Sequence, residues 1–165
     1  MCKKIIAVIV FALALSLFVG AAEINSANDL LTLMNTPSMW ADDYILMDTI
    51  DLGDATLDLP QSPIGTSADE PFSGTFDGRG NTILGIYLDL PTGNAALFGY
   101  AKNATIENLT VKGTVIGAGN AVGGIVGRVD TSSVTITNCV NYCSISGVDS
   151  VGGIIGREEA IEFVL

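Results

Sequence analysis

The sequence contains no histidine, and this absence excludes several classes of active site. Catalytic triads with an imidazole base, HExxH zinc sites and imidazole acid–base catalysis all need that side chain. Basic residues are also scarce, because seven Lys and Arg accompany 18 Asp and Glu, for a net charge of −11. A chain this acidic repels phosphate backbones, so nucleic acid is not an expected partner.

Cysteine is nearly as rare, with three in 165 residues. Cys2 precedes an apolar run instead of ending it, so it is no lipoprotein attachment site. Cys139 and Cys143 are four residues apart, a separation of roughly 13 Å along an extended strand and too long for a disulfide. A tight corner at residues 140–142 would bring the two thiols together, but we expect them to be unpaired, with Cys139 buried.

The one long apolar run is at the start of the chain. Lys3 and Lys4 precede apolar residues 5–18, and small residues follow at 19–22. This layout predicts a secretory signal peptide over residues 1–22, cleaved after Ala22. An uncleaved anchor is the alternative, although the run is short for a membrane span. Cleavage removes two lysines and no acid, so five bases and 18 acids remain, a net charge of −13. We therefore expect a secreted or cell-surface protein whose membrane contact ends with cleavage.

Internal repeats organise the remaining chain. Residues 122–128 read VGGIVGR, and residues 151–157 repeat them as VGGIIGR 29 positions later. A second motif begins with Thr-Ile at residues 82, 105 and 135, at offsets of 23 and 30 residues. Repeats of this length that consist of short β-rich segments between Gly, Asn or Asp are typical of solenoids.

The spacing of apolar residues within a repeat indicates strands joined by corners. Val134 and Ile136 alternate with threonines, which is the period of a strand, and the phase changes after Asn138. Asn and Gly tolerate the left-handed backbone that a corner requires. The sequence therefore predicts an all-β fold, a parallel β-helix (β-solenoid). Three inward columns are expected, which consist of Ile83, Ile106 and Ile136; of Ile86, Leu109 and Cys139; and of Val115 and Ile145.

The region before the repeats has a helical pattern of apolar residues. Ser26 and Asp29 precede Leu30, Leu31, Leu33 and Met34, a pattern that predicts a short helix with a capping box. Such a helix would cover the first coil of the solenoid. We therefore divide the chain into a signal peptide (1–22), an N-terminal cap with the first strands (23–71), β-helix coils (72–157) and a C-terminal end (158–165).

The order of these motifs resembles that of bacterial GLUG-motif proteins. The resemblance covers residues 24–157, with the lead-in at residues 44–52, 63–66 and 72–78 and the repeats around residues 123–127 and 152–156. It implies an extracellular β-helix module of adhesion or scaffolding type without catalytic residues. Cys143 departs from the family pattern, which has a small residue there. The repeat also stops after Arg157, which suggests a truncated product whose open final coil self-associates.

Two other functions stay open at this point. The first is a carbohydrate-active β-helix enzyme, a polysaccharide lyase or hydrolase, although the acids of the repeats are scattered singly and no column is expected to contain two. The second, implied by the resemblance, is the N-terminal part of a secreted metallopeptidase that lacks its catalytic domain. We expect no enzyme activity and no cofactor. The spacing of the acids around Asp48–Asp58 matches no calcium loop, so no metal site is expected.

One set of residues is predicted to contact a ligand. Tyr100, Arg128 and Arg157 each follow an apolar-Gly pair in successive repeats, so stacking places them in one outward column, the Tyr-Arg column. An aromatic ring beside two guanidinium groups suits an anionic sugar or a carboxylate on a host glycan or extracellular protein. The alternative is a solvated face on which Asp130 and Glu158 neutralise the arginines.

Overall fold

The computed structural model describes residues 20–53, 61–130 and 133–158, and these form a parallel β-solenoid with one α-helix, as predicted. The elements in chain order are β1 (Ala22–Ile24), α1 (Ala27–Met34), a 3-10 turn (Pro37–Met39), β2 (Tyr44–Leu46), β3 (Ile50–Asp51), β4 (Thr75–Asp77), β5 (Thr82–Leu90), β6 (Asn94–Ala95), β7 (Phe98–Ala101), β8 (Thr105–Glu107), β9 (Thr110–Gly117), β10 (Ala121–Gly123), β11 (Val126–Val129), β12 (Thr135–Thr137), β13 (Val140–Asn141), β14 (Ser144–Gly147), β15 (Val151–Gly152) and β16 (Ile155–Glu158).

The strands form four parallel sheets, and each full coil of the chain visits all four. The first sheet has the order β1-β2-β4-β8-β12, and the second has β3-β5-β9-β13 with β14 also paired to β9. The third sheet is β6-β10-β15, and the fourth is β7-β11-β16. The stack therefore begins at β1 and β2, within the predicted cap region. The predicted signal peptide lies outside the described residues up to residue 19, and its cleavage position falls inside β1.

Helix α1 forms where the capping pattern predicts it. The Ser26 hydroxyl accepts a hydrogen bond from the backbone N–H of Asp29 at 3.2 Å, and the Asp29 carboxylate accepts one from the Ser26 hydroxyl at 2.8 Å. The first of these bonds satisfies a backbone N–H that has no carbonyl partner in the first turn of a helix. The helix buries four apolar side chains in the core at this end: Leu30, Leu31, Leu33 and Met34.

The inward column of the first sheet confirms the predicted stacking of Ile106 with Ile136 but not of Ile83. Ile106 pairs with Ile136 on one side and with Phe76 on the other, at a spacing of 30 residues, and Phe76 pairs with Tyr44. Ile83 lies in the second sheet between Ile50 and Val111. The prediction that Ile83 shares a column with Ile106 is therefore wrong.

The error comes from Gly85, which resembles a corner residue but lies within a strand. Its backbone is left-handed (φ 69°), and the register between β5 and β9 shifts between Ile83 and Ile86. Gly85 is therefore part of a bulge. Because of this bulge Ile86 pairs with Gly113, so its predicted column with Leu109 is also wrong.

The corner after the first sheet consists of Gly78 and two left-handed asparagines, Asn108 (φ 53°) and Asn138 (φ 51°). A β-carbon at Gly78 would overlap the backbone of Asn108 and Leu109, which explains why this coil has glycine there. The corner places Leu109 and Cys139 at the start of the second sheet in successive coils. Val115 pairs with Ile145 further along the same sheet, as predicted.

Burial decreases towards the last described coil. Ile106, Val111 and Val115 are fully buried, whereas Ile136, Cys139 and Ile145 are only partly buried against the core. A cleft of about 390 Å³ opens on this side beside Val134 and Ile136. Residues 159–165, most of the predicted C-terminal end, lie outside the described residues.

Candidate ligand-binding surface

The predicted Tyr-Arg column lies in the fourth sheet. Arg128 of β11 pairs directly with Tyr100 of β7 and with Arg157 of β16, so successive coils place these residues at the same register position. The Arg128 guanidinium carbon lies 5.9 Å from the centroid of the Tyr100 ring, within range of a cation–π contact. The structure therefore brings the three residues together, and Arg157 is the most exposed of them.

Tyr100 is less accessible than the sequence suggests, since only 2% of its surface is exposed. One reason is the segment before β4, which runs along the outer edge of β7. Tyr100 donates its backbone N–H to Gly65 at 3.0 Å, and Phe72 donates to the Tyr100 carbonyl at 2.9 Å. Because the Tyr100 side chain is buried, its ring is not open to a ligand as the sequence suggested. Ligand binding by Arg128 and Arg157 stays a prediction.

Asp130, one of the two acids in the alternative of a solvated face, forms an ion pair with a lysine. The Lys102 Nζ lies 3.3 Å from Asp130 Oδ2, and both side chains are partly exposed. Exposed pairs of this kind contribute little to stability. Arg157, in the neighbouring strand β16, is exposed.

A ladder of polar side chains follows the corner of the first sheet. Asn138 donates its side-chain N–H to Asn108 Oδ1 at 3.1 Å, and Asn108 donates to Asp77 Oδ1 at 3.0 Å. The bond from Asn108, followed by the one from the Arg79 N–H, lowers the pKa of Asp77. Asp77 is therefore ionised at neutral pH and suits a structural acceptor better than a general acid.

The first sheet also places two acids in one column, contrary to the expectation that no column would contain two. Asp77 of β4 pairs with Glu107 of β8, and the next residue in the column is Thr137 of β12. The pairing was missed because the 23-residue offset aligned Glu107 with Leu84. Two adjacent carboxylates are one requirement of glycosidase chemistry. The hydrogen bonds on Asp77 tie that carboxylate to the corner.

The two thiols of the last coil are unpaired, as expected, and both are partly buried. Cys139 contacts the carbonyl of Thr137 at 3.3 Å. Burial raises the pKa of both thiols, and for Cys143 to about 11. Thiols of this kind are mostly protonated at neutral pH, so they are poor nucleophiles.

Two tyrosines, neither predicted to have a role, are exposed on the second sheet. Tyr87 is 58% exposed and Tyr142 is 68% exposed. Tyr87 occupies an outward position of β5, between the buried Ile86 and Leu88. Tyr142 lies between β13 and β14, where its backbone N–H donates to the Val111 carbonyl of β9 at 2.8 Å. The alternation around Tyr87 is visible in the sequence and could have indicated its exposure.

Metal and membrane features are absent from the described part of the chain. Within residues 20–53, 61–130 and 133–158 no group of three or more acidic or cysteine side chains is placed to hold a metal ion. No helix in these same ranges is long and apolar enough to cross a membrane.

The architecture is that of a parallel β-solenoid, and the chain is similar to a curated protein. It is 35% identical over 146 residues to halomucin of Haloquadratum walsbyi (strain DSM 16790 / HBSQ001). The match covers 84% of this chain but 2% of halomucin, so the chain spans a very small part of that relative's length. No family model matches the chain, and no solved structure matches it.

Proposed function

We propose that this chain is a non-catalytic β-solenoid module that acts outside the cell, in adhesion or scaffolding at a cell surface. The observation that carries the proposal is the similarity to halomucin, which covers 84% of the chain and 2% of that protein. The solenoid architecture also supports it, because stacked coils form an extended surface that suits binding or scaffolding. The signal-peptide pattern of residues 1–22 supports export.

We further assign the coils to the GLUG type of repeat. In support, the two Val-Gly-Gly motifs stack in register, with Val122 opposite Val151 and Gly123 opposite Gly152. A β-carbon at Gly123 would overlap the Val126 carbonyl, and one at Gly152 would overlap that of Ile155. Gly123 and Gly152 therefore allow the close approach of the backbone at the turn between the third and fourth sheets in these two copies, whereas the first copy has Ala96 at the equivalent position.

Within this proposal the Tyr-Arg column contributes positive charge to the binding of a partner. Arg128 and Arg157 are adjacent in the stack, in a chain with net charge −11. A carboxylate-bearing partner would be attracted to the exposed Arg157. Tyr100 then serves as a buried support beneath Arg128.

The experiment that tests the proposal follows the tagged full-length chain through secretion. We expect the chain in the medium or on the cell surface, where added protease degrades it. A matched Leu13→Arg, Leu15→Arg variant interrupts the apolar run and should stay inside the cell. Retention of the parent chain in the cytoplasm would contradict the proposal.

A second arm tests for catalysis, since Asp77 and Glu107 share a column. The purified chain is incubated with neutral and acidic polysaccharides, and reducing ends and unsaturated products are measured. We expect neither. Product formation that is lost in both Asp77→Asn and Glu107→Gln would favour the carbohydrate-active enzyme instead.

A further inference from the structure

The exposed aromatic rings of the solenoid lie on one sheet. The structure describes eight aromatic side chains, of which six are buried and two, Tyr87 and Tyr142, are exposed. The six buried rings are Trp40, Tyr44, Phe72, Phe76, Phe98 and Tyr100. Tyrosine is enriched at binding interfaces because its ring is apolar and its hydroxyl is polar, so two exposed tyrosines on one face indicate a candidate binding surface.

The register of the second sheet determines how the two rings are arranged. Tyr87 pairs with Thr114, which pairs with Ser144, so Tyr87 and Tyr142 lie two strands apart and two residues apart along the strand. With strands about 4.8 Å apart and a rise of about 3.3 Å per residue, their Cα atoms are roughly 12 Å apart on the diagonal. Tyr87 follows the bulge at Gly85, and Tyr142 lies between β13 and β14, so the outward face of the second sheet carries both rings.

Most of the other outward side chains of this surface are small or polar, and the exceptions are Ile116 and the exposed Val140. The small or polar ones are Thr110, Lys112, Thr114, Ser144, Ser146 and Asp89. Hydroxyl groups both donate and accept hydrogen bonds, which suits a partner that carries hydroxyl groups of its own. One lysine and one acid leave the surface close to neutral, whereas the chain as a whole has a net charge of −11. A polyanionic partner would therefore be repelled by the rest of the molecule.

Tyr87 does not mark an open sheet edge. The side chain of Gln61 accepts a hydrogen bond from the Tyr87 N–H at 2.8 Å and donates one to the Gly85 carbonyl at 3.0 Å. These bonds occupy backbone groups that an added strand would need at this position. The exposed feature at Tyr87 is thus the ring itself, and its backbone is held in place.

We propose that the surface formed by Tyr87, Tyr142, Lys112, Thr114 and Ser144, the tyrosine face, binds a neutral polysaccharide. The C–H face of a sugar ring packs on each tyrosine ring, and hydroxyl groups bond to the residues between them. Two tyrosines whose Cα atoms lie roughly 12 Å apart match an extended chain of several sugars better than a single sugar. This inference names the ligand class of the proposed adhesion module, and it rests on that function.

The test measures binding of the purified full chain to soluble galactomannan, amylose and hydroxyethyl cellulose, with polygalacturonate as the anionic probe. We expect binding to at least one neutral polymer. Tyr87→Ala and Tyr142→Ala should each weaken it roughly 5- to 10-fold, since an aromatic contact contributes on the order of one factor of ten. Tyr87→Phe and Tyr142→Phe keep the ring and should retain most of the affinity.

Met47→Ala is the matched control, because Met47 is exposed but follows β2 of the first sheet. All variants should keep the parent melting temperature, since the two rings contribute little to the core. Binding that is confined to polygalacturonate and lost in the Arg128→Ser, Arg157→Ser variant would overturn the inference in favour of the Tyr-Arg column. A dimer that dissociates on removal of both rings would overturn it in favour of self-contact.

The result of the polysaccharide-binding measurement is independent of the secretion test. An exported chain that binds none of the neutral polymers contradicts the tyrosine face and leaves the extracellular module intact. A chain that stays in the cytoplasm contradicts the proposed function, whatever the purified protein binds.

Discussion

Ile106 and Ile136 occupy equivalent positions in successive coils but differ in burial. Ile106 is fully buried between Phe76 and Ile136, whereas Ile136 is half-buried at the open side of the stack. Truncation of a fully buried Ile to Ala removes transfer free energy and leaves a cavity, at a cost of about 2–5 kcal/mol. We therefore expect Ile106→Ala to lower the free energy of unfolding in urea considerably more than Ile136→Ala does.

The charged variant Ile106→Asp should unfold the domain, because an unpaired carboxylate cannot be accommodated in this column. Far-ultraviolet circular dichroism measures that outcome. A folded Ile106→Asp protein with an unchanged melting temperature would contradict the stacking, as would equal losses for the two alanine variants.

Tyr44 and Cys143 make stability depend on alkaline pH. Burial raises the pKa of Cys143 from 9.0 to about 11, and burial followed by the charge of Asp42 raises that of Tyr44 from 10.0 to about 12. Between the unfolded and the folded pKa of each group, the unfolded chain has released a proton that the folded chain keeps. The free energy of unfolding therefore falls as pH rises from 9 towards 12. Urea unfolding at pH 8 and pH 10.5 should show this decrease, and Cys143→Ala should reduce it. A stability that is constant over this range in the parent chain would contradict the burial of both groups.

At the scale of the elements, strand β5 needs glycine at position 85 more strictly than the neighbouring turn needs it at position 80. Gly85 and Gly80 both have a left-handed backbone, at φ 69° and 80°. A β-carbon on Gly85 would overlap the backbone of Gly53 in the neighbouring coil, whereas one on Gly80 meets no described atom within 4 Å. Gly80→Ala should therefore lower the free energy of unfolding only by the penalty of a left-handed backbone at alanine, about 1–2 kcal/mol. Gly85→Ala should cost clearly more in urea unfolding, and equal costs would contradict the bulge.

The same strand shows how far the sequence predicts the elements. Capping by Ser26, the left-handed corner at Asn108 and Asn138 and the pairing of Val115 with Ile145 all follow from local patterns and are confirmed. The position of Ile83 does not follow from a local pattern, because a glycine in a bulge and a glycine in a corner look the same in the sequence. Only pairing with the neighbouring coil distinguishes the two.

The candidate site was predictable to a similar degree. The offset between repeats placed Tyr100, Arg128 and Arg157 in one column, and the structure pairs them. The burial of Tyr100 could not be predicted, because it depends on pairing with residues 64–72, which carry no copy of the repeat motif. The exposure of Tyr87 follows from strand alternation and was therefore within reach of the sequence, whereas Tyr142 lies between two short strands of the last described coil.

At the scale of the whole molecule, the two sides of the stack differ. Helix α1 packs on the core at the first coil, whereas Val140, Val151 and Ile155 are exposed in the last described coil. We expect amide hydrogen exchange to be fast in β15 and β16 and slow in the equivalent β10 and β11, which have neighbours on both sides. Self-association, if it occurs, should slow exchange in β15 and β16 as the concentration rises. Slowest exchange at residues 151–156 in a monomeric sample would contradict this.

The register of the solenoid is the central claim, since the inward columns, the acid pair and the tyrosine face all follow from it. Scalar couplings across hydrogen bonds, measured by nuclear magnetic resonance, report it directly. The structure predicts couplings from the Thr105 amide to the Gly74 carbonyl, at an N–O distance of 3.1 Å, and from the Thr135 amide to the Ala104 carbonyl, at 2.9 Å. A coupling from Thr105 to the Asn81 carbonyl, which an alignment of Ile83 with Ile106 requires, would contradict the account.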